Sequence, residues 1–434
     1  MLHLLPIAIV LAGGYYLIRL RAFFILHPLR TLSLALREGR EEGKGALLRL
    51  SLALAGTLGV GNVTGVAAGI VIGGAGSVFW ILVSAIFCAP LKYAESVVAI
   101  SAKKKGESRG FITLVRGSCS HMGTPLSVLY ALLCVGLAFF MGSALQSAAV
   151  SEAASALGSR ALARICVLSF VLLLAICVIG RSDKIASATA ILIPIALIMY
   201  TIICIISVFS GISRLGEVVH LVIFDAFSPR AFVGGTAGYA LASPLREGFL
   251  RGLLSNEAGA GTSAFAHTKN EKSTPFFEGV LGMAEILFDT VILCMLTAFA
   301  ILLSVEDLGA YKSGMDILRA AFGGVLGEGY VLPLLLSVFL FAVGGAVCWY
   351  EYGRCALTSL RVPCGALYTA VYLAFSLCGA YLGSMALIPI CDAFLFFLAM
   401  IALPTLIKNS AAVCAVTRRA LREGSDRTAA RGGS

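Results

Sequence analysis

Charge is what this sequence has least of: 13% of its 434 residues are Asp, Glu, Lys or Arg, against 59% hydrophobic, and the mean hydropathy is +0.96. A soluble domain carries roughly a quarter charged residues, and a chain this poor in them has no means of covering its surface in water. That excludes a soluble globular protein and leaves an all-α polytopic membrane protein, with the lipid bilayer as its surroundings. Catalytic and metal signatures are also missing. No H-E-x-x-H occurs, and the 13 cysteines lack the C-x-x-C or Cys/His spacing of a metal site. An enzyme is not expected, nor a resident cofactor. The cysteines mostly lie in apolar runs (Cys134, Cys166, Cys177, Cys204, Cys294) and read as small packing residues without disulfides. The net charge of +10 does not point to nucleic acid, because the basic residues fall between apolar segments rather than on one amphipathic face.

Those basic residues are topological signals. The first span, residues 1 to about 20, has no Lys or Arg before Arg19 and no small-residue cleavage site, so it reads as a retained helix rather than a signal peptide. A basic connection follows (Arg19, Arg21, Arg30, Arg37, Arg40, Lys44, Arg49), whose part from Phe23 to Leu36 suits an interfacial helix. The positive-inside rule makes it cytoplasmic and puts the N-terminus outside. Further spans are expected over 47–72, 77–102, 126–156, 160–180, 184–210, 238–268, 277–304, 326–352, 363–384 and 387–409. Lys103, Lys104 and Lys105, then Arg181 and Lys184, then Lys269 and Lys272, then Arg354 and Arg361, and finally the Arg-rich tail all fall on the same side. That makes about eleven helices, with a mixed-charge external loop at 211–237 and a polar, disordered cytoplasmic tail at 410–434.

Two of these spans are interrupted. Gly56-Thr-Leu-Gly-Val-Gly-Asn-Val-Thr-Gly65 and Asn256-Glu-Ala-Gly-Ala-Gly261 place helix-weakening glycine and asparagine at membrane depth. Unpaired backbone groups there cost several kcal/mol, so such breaks survive only where they are buried or line a cavity. Gly61, Gly65 and Gly69 recur every fourth residue and would also serve close helix packing, but Asn62 and the second break favour a binding site. Each break opens a set of five spans, 47–210 and 238–409, after the N-terminal unit 1–46. Five is odd, so the second set enters the membrane in the opposite direction, which is the arithmetic of an inverted repeat.

The residues carry a family resemblance as well. Gly56-Thr-Leu-Gly-Val-Gly-Asn-Val-Thr-Gly-Val-Ala67, Gly73-Gly-Ala-Gly-Ser-Val-Phe-Trp80, Lys92-Tyr-Ala-Glu95, Arg251-Gly-Leu-Leu-Ser-Asn-Glu-Ala-Gly-Ala-Gly261, Asp289-Thr-Val-Ile-Leu-Cys294 and Trp349-Tyr-Glu-Tyr-Gly353 follow one another in the order found in the alanine or glycine:cation symporters. The chain resembles a divergent member of that family. The resemblance implies a LeuT-type fold in the cell membrane and import of a small neutral amino acid, chiefly alanine or glycine, by cation symport, with sodium favoured over a proton.

Such a substrate suits the breaks. Backbone N–H groups around Gly59, Gly61 and Asn62 offer a positive helix end to a carboxylate, and carbonyls freed around Asn256 and Gly259 offer acceptors to an ammonium group or a cation. Gln146 matches a family glutamine and Trp349 fits a pocket wall or lid. Candidate sodium ligands are the carbonyls of Ala55 and Leu58, with Thr57 and Asn62 as a separate set. Three departures bear on them: Ala148 stands where the family has asparagine, and Gly344 and Gly345 where it has hydroxyls. Their loss predicts a roomier pocket and relaxed sodium dependence. Glu257 and Asp289 are expected to face the bundle interior, paired with Arg246, Arg251 or Lys92. Lys92 with Glu95, and Glu351 with Arg354, read as pairs at helix ends, and His267 as an ordinary terminal residue. An amino-acid sensor or uncoupled facilitator of the same fold is the alternative reading, although the short tail offers no signalling domain.

Overall fold

Apolar runs of spanning length become helices, and the computed structural model of the chain is helical, with no strand among its described residues. Those residues are 2–28, 31, 33, 59–102, 110–118, 122–155, 158–180, 183–228, 243–267, 273–363 and 365–432. Among them seven helical runs are long and apolar enough to cross a bilayer: Gly76–Ser101, Gly123–Ala154, Arg160–Ile179, Ile193–Ser210, Pro275–Ser304, Gly314–Ser359 and Ser384–Lys408. Leu4–Arg19, Val60–Gly73 and Ala366–Leu382 are shorter apolar helices.

The burial pattern is that of a protein in hydrocarbon. Leu162, Ile165, Leu168, Leu172, Ile176 and Ile179 recur at helical spacing down one side of Arg160–Gly180 and are all exposed. In water that stripe would be costly; against lipid tails it costs nothing. Charge lies inside instead: Lys92, Glu95, Arg251, Glu257, Glu285 and Asp289 are each at most 2% exposed.

Three elements differ from the expectations. The loop at 211–237 contains a helix, Leu215–Ala226, anchored by Asp225, whose carboxylate accepts from Gly76 N–H at 2.7 Å, and by Trp80, whose indole donates to Ala226 O at 3.2 Å. The tail is helical over Ser410–Gly432 rather than irregular, because Val413, Cys414 and Thr417 bury one face and Thr417 meets the Tyr93 hydroxyl at 2.7 Å. Gly314–Leu326, where no span was expected, packs ahead of Val331–Ser359. Its start was legible: Ser313, a residue type favoured at the N-cap, accepts from Asp316 N–H at 3.1 Å.

Candidate functional site

At the first break Gly59 is extended, Val60–Asn62 form one 3-10 turn, and Thr64–Gly73 resume the α-helix with the Thr64 hydroxyl donating back to Val60 O at 3.0 Å. The second break begins where Ser243–Asn256 stops. Glu257 is left-handed (φ +56°), and Asn256 Oδ1 accepts from Ala258 N–H at 3.0 Å, which stabilises the turn. Gly259 and Gly261 then take φ of +85° and +78°, a region open to glycine at little cost, before the short helix Ala264–His267.

The breaks meet at one narrow cavity of about 10 Å³, on the scale of a single water. Gly59, Gly61, Asn62, Gln146 and Trp349 all line it, joined by Ser255, Glu257 and Gly345. Asn256 and Gly259 do not. The Asn256 carbonyl accepts from the Lys92 ammonium at 2.9 Å and its amide sits 3.4 Å from the Thr290 hydroxyl, while Gly259 packs near Ile9, Leu91 and Leu403. The room expected at Gly345 is taken up by the Gln146 side chain, 3.2 Å from where a Cβ would stand. Gln146 donates to Met141 O at 3.2 Å, and its Oε1 is buried with no hydrogen-bond partner. Met141 belongs to a π-helical segment, Ala138–Ala144; such wide turns gather at functional sites.

A second π-helical segment, Leu287–Cys294, presents Asp289 beside the cavity. Its carboxylate accepts from the Asn62 amide and the Ser255 hydroxyl, and from Thr290 Oγ1 at 3.1 Å; Ser255 Oγ is also 3.0 Å from Asn62 Oδ1. No cationic side chain among the described residues forms an ion pair with Asp289. The expected partners are engaged elsewhere. Arg251 pairs with Asp392 and, at 3.3 Å, with Glu247 one turn back on its own helix; Arg246 takes Glu247 at 2.7 Å; and Lys92 takes Glu285 at 2.9 Å. Nor do Lys92 and Glu95 form a pair at a helix end. Both are buried, and Glu95 accepts from Gly261 N–H at 3.0 Å and Ser263 Oγ at 2.6 Å. Glu351 and Arg354 do pair, at 2.6 Å. His267 lies in a buried charged group rather than at a free helix end. Ala55, Thr57 and Leu58 lie outside the described residues.

Sequence reasoning passed over Ser255, a small hydroxyl residue in a long motif, and gave Glu257 and Asp289 only the part of interior ion-pair partners. The signal lay in Asp289 itself, a carboxylate in an apolar run. The sequence also holds one G-x-S-x-G match, Gly106-Glu-Ser-Arg-Gly110, of which all but Gly110 lies outside the described residues.

A model of the sodium:alanine symporter family matches residues 1–429. The chain belongs to that family. This sodium:alanine symporter family protein is 30% identical over 410 residues to the uncharacterized transporter YflA of Bacillus subtilis, covering 91% of this chain and 86% of that one. It is 29% identical over 367 residues to the sodium/alanine symporter AgcS of Methanococcus maripaludis (80% and 79% covered), and 28% identical over 366 residues to the probable sodium/glutamine symporter GlnT of Bacillus subtilis (81% and 73%). The family is one of transporters, not enzymes, and its membership agrees with the buried charge and lipid-facing helices of a multi-pass membrane protein.

Proposed function

We propose that the protein imports a small neutral amino acid, alanine or glycine, by symport with sodium. Asp289 carries this reading: a fully buried carboxylate, without an ion pair among the described residues, touches two side chains that wall the cavity. A lone carboxylate at membrane depth requires a cation or a proton. The oxygens of Asp289, Asn62, Ser255 and Thr290 suit a hard cation. On loading, the Asn62 amide and the Ser255 hydroxyl would turn from donating to the carboxylate to presenting oxygen to the ion. Since both also wall the cavity, ion and substrate would each favour the other's binding.

For the substrate, the backbone N–H groups of Gly59, Gly61 and Asn62, residues that line the cavity, would donate to a carboxylate, and Gln146 Oε1 and Glu257 would accept from an ammonium group. The narrow space favours a small side chain. Coupling through Asp289 does not need hydroxyls at Gly344 and Gly345, so their absence leaves sodium dependence intact. The same reading keeps eleven spans in LeuT-type arrangement, one N-terminal helix within 1–46 and inverted repeats over 47–210 and 238–409. It puts the N-terminus and the 211–237 segment outside and the tail, 410–434, in the cytoplasm. Uptake of labelled alanine into proteoliposomes, compared in sodium and choline media at fixed pH with and without a proton gradient, tests it. Saturable sodium stimulation is expected; uptake indifferent to sodium, or driven by the proton gradient alone, would refute the assignment.

A further inference from the structure

A second group of buried ionisable residues adjoins the second break and plays no part in the reading above. Glu278 and Glu285 come from Pro275–Ser304, His267 ends the short helix Ala264–His267, and Lys92 comes from Gly76–Ser101. All four are at most 4% exposed. Glu278 Oε2 is 2.8 Å from His267 Nδ1, Glu285 Oε1 is 3.4 Å from His267 Nε2, and Glu285 Oε2 is 2.9 Å from Lys92 Nζ. Lys92 then donates to the carbonyl of Asn256, the last residue of Ser243–Asn256. The group therefore runs from one half of the broken helix to the other.

His267 is the member whose charge is undecided by its contacts. Each ring nitrogen faces a carboxylate oxygen, but a neutral imidazole has only one N–H, so one nitrogen would set its lone pair against an oxygen. A second proton removes that repulsion. Nε2 and Glu285 Oε1 are both buried and neither makes a hydrogen bond, which marks where that proton belongs. Lys92 is already committed to Glu285 Oε2 and Asn256. Among the described residues the other titratable groups nearby are Glu95 on the Lys92 helix, Glu257 in the break, Asp289 along the Glu285 helix and Tyr352 on Val331–Ser359, none of them cationic; Lys269, Glu271 and Lys272 lie outside the described residues. The basic residues of the adjacent helices turn elsewhere: Arg116 to Ser127, Arg418 to Cys414 O and Arg419 to Glu423.

We propose that His267, clasped between Glu278 and Glu285, is a proton-binding site whose loading latches the short half of the broken helix to Gly76–Ser101 and Pro275–Ser304. On the orientation proposed above this half faces the cytoplasm, so internal acid holds the latch shut and internal alkali frees it; this rate consequence rests on the transport reading, whereas the site itself does not.

Two measurements test the pair of claims separately. The stability this contact supplies is present while the second proton is bound and is lost as pH rises through its release. The melting temperature of the purified protein should therefore fall by several degrees between about pH 6 and pH 9, and His267→Gln should flatten that slope. In liposomes at fixed sodium gradient and fixed external pH, raising the internal pH should speed alanine entry, by at most about tenfold per pH unit for a single proton, and His267→Gln should be indifferent. A melting temperature that responds to pH in the absence of any alanine uptake would sink the transport reading and support the site. A flat wild-type profile, or a His267→Gln variant with the full pH response, would overturn the site. Should His267→Gln not fold, Glu285→Gln must shrink the same response, and an unchanged slope there overturns the site equally.

Discussion

Gln146, which lines the cavity, is half satisfied: its amide donates to Met141 O, while its buried Oε1 has no hydrogen-bond partner. An unpaired buried acceptor is a liability to folding and an asset to binding. Gln146→Ala should lower alanine affinity by about tenfold or more, the worth of a hydrogen bond to a charged group, and leave the melting temperature nearly unchanged; ligand competition and thermal unfolding on one preparation measure both. Asp289→Asn keeps the shape and removes the charge, and should abolish the sodium dependence of alanine binding, read by titrating sodium at constant ionic strength. At this scale the sequence was partly legible. Asn62, Gln146 and Trp349 stand out in apolar runs because polar or bulky side chains there need a reason. Asp289 stood out too, but its partners, Ser255 and Asn62, lie 34 and 227 positions away, and no local pattern announces such a meeting. The space inferred at Gly345 failed for the same cause, since Gln146 fills it from another helix.

Hydropathy marked the long apolar helices, and glycine with asparagine marked both breaks, because these follow from local composition. Leu215–Ala226, Gly314–Leu326 and the tail helix were missed: the first two, at 12 and 13 residues, are shorter than a span, and the tail is rich in arginine. The π-helical segments had no sequence signal. One of them nevertheless makes a testable contact. A Cβ at Gly142 would stand 2.7 Å from Trp349 Cγ and 2.9 Å from the Tyr372 hydroxyl, closer than packed atoms allow. Gly142→Ala should therefore cost about 1–3 kcal/mol by overpacking and push Trp349 into the cavity, so that both melting temperature and alanine uptake fall. Normal uptake with a lowered melting temperature would separate Trp349 from the substrate path.

For the whole molecule, the alternation of spans predicts which surfaces water reaches from each side. Lys312 and Arg422 are exposed, and on the proposed orientation they lie on opposite faces. A membrane-impermeant maleimide should label Lys312→Cys in intact cells and Arg422→Cys only after permeabilisation; the reverse pattern would invert the topology. The grip of Gly76–Ser101 on the second break has an electrical consequence across the entire fold. Its ammonium, Lys92, sits on the carbonyl end of one half-helix, and its carboxylate, Glu95, sits on the amide end of the other. Each opposes the partial charge of the terminus it touches, so the field of those two helix ends is cancelled from within. The described part of the first break has no such pair: Glu257 lines the same cavity, and the Asp289 carboxylate accepts from the Asn62 amide. Two interruptions that look alike in sequence therefore differ in polarity: one is screened by a cation and an anion of a single helix, and the other is flanked by two carboxylates, an excess of negative charge that an incoming cation would offset.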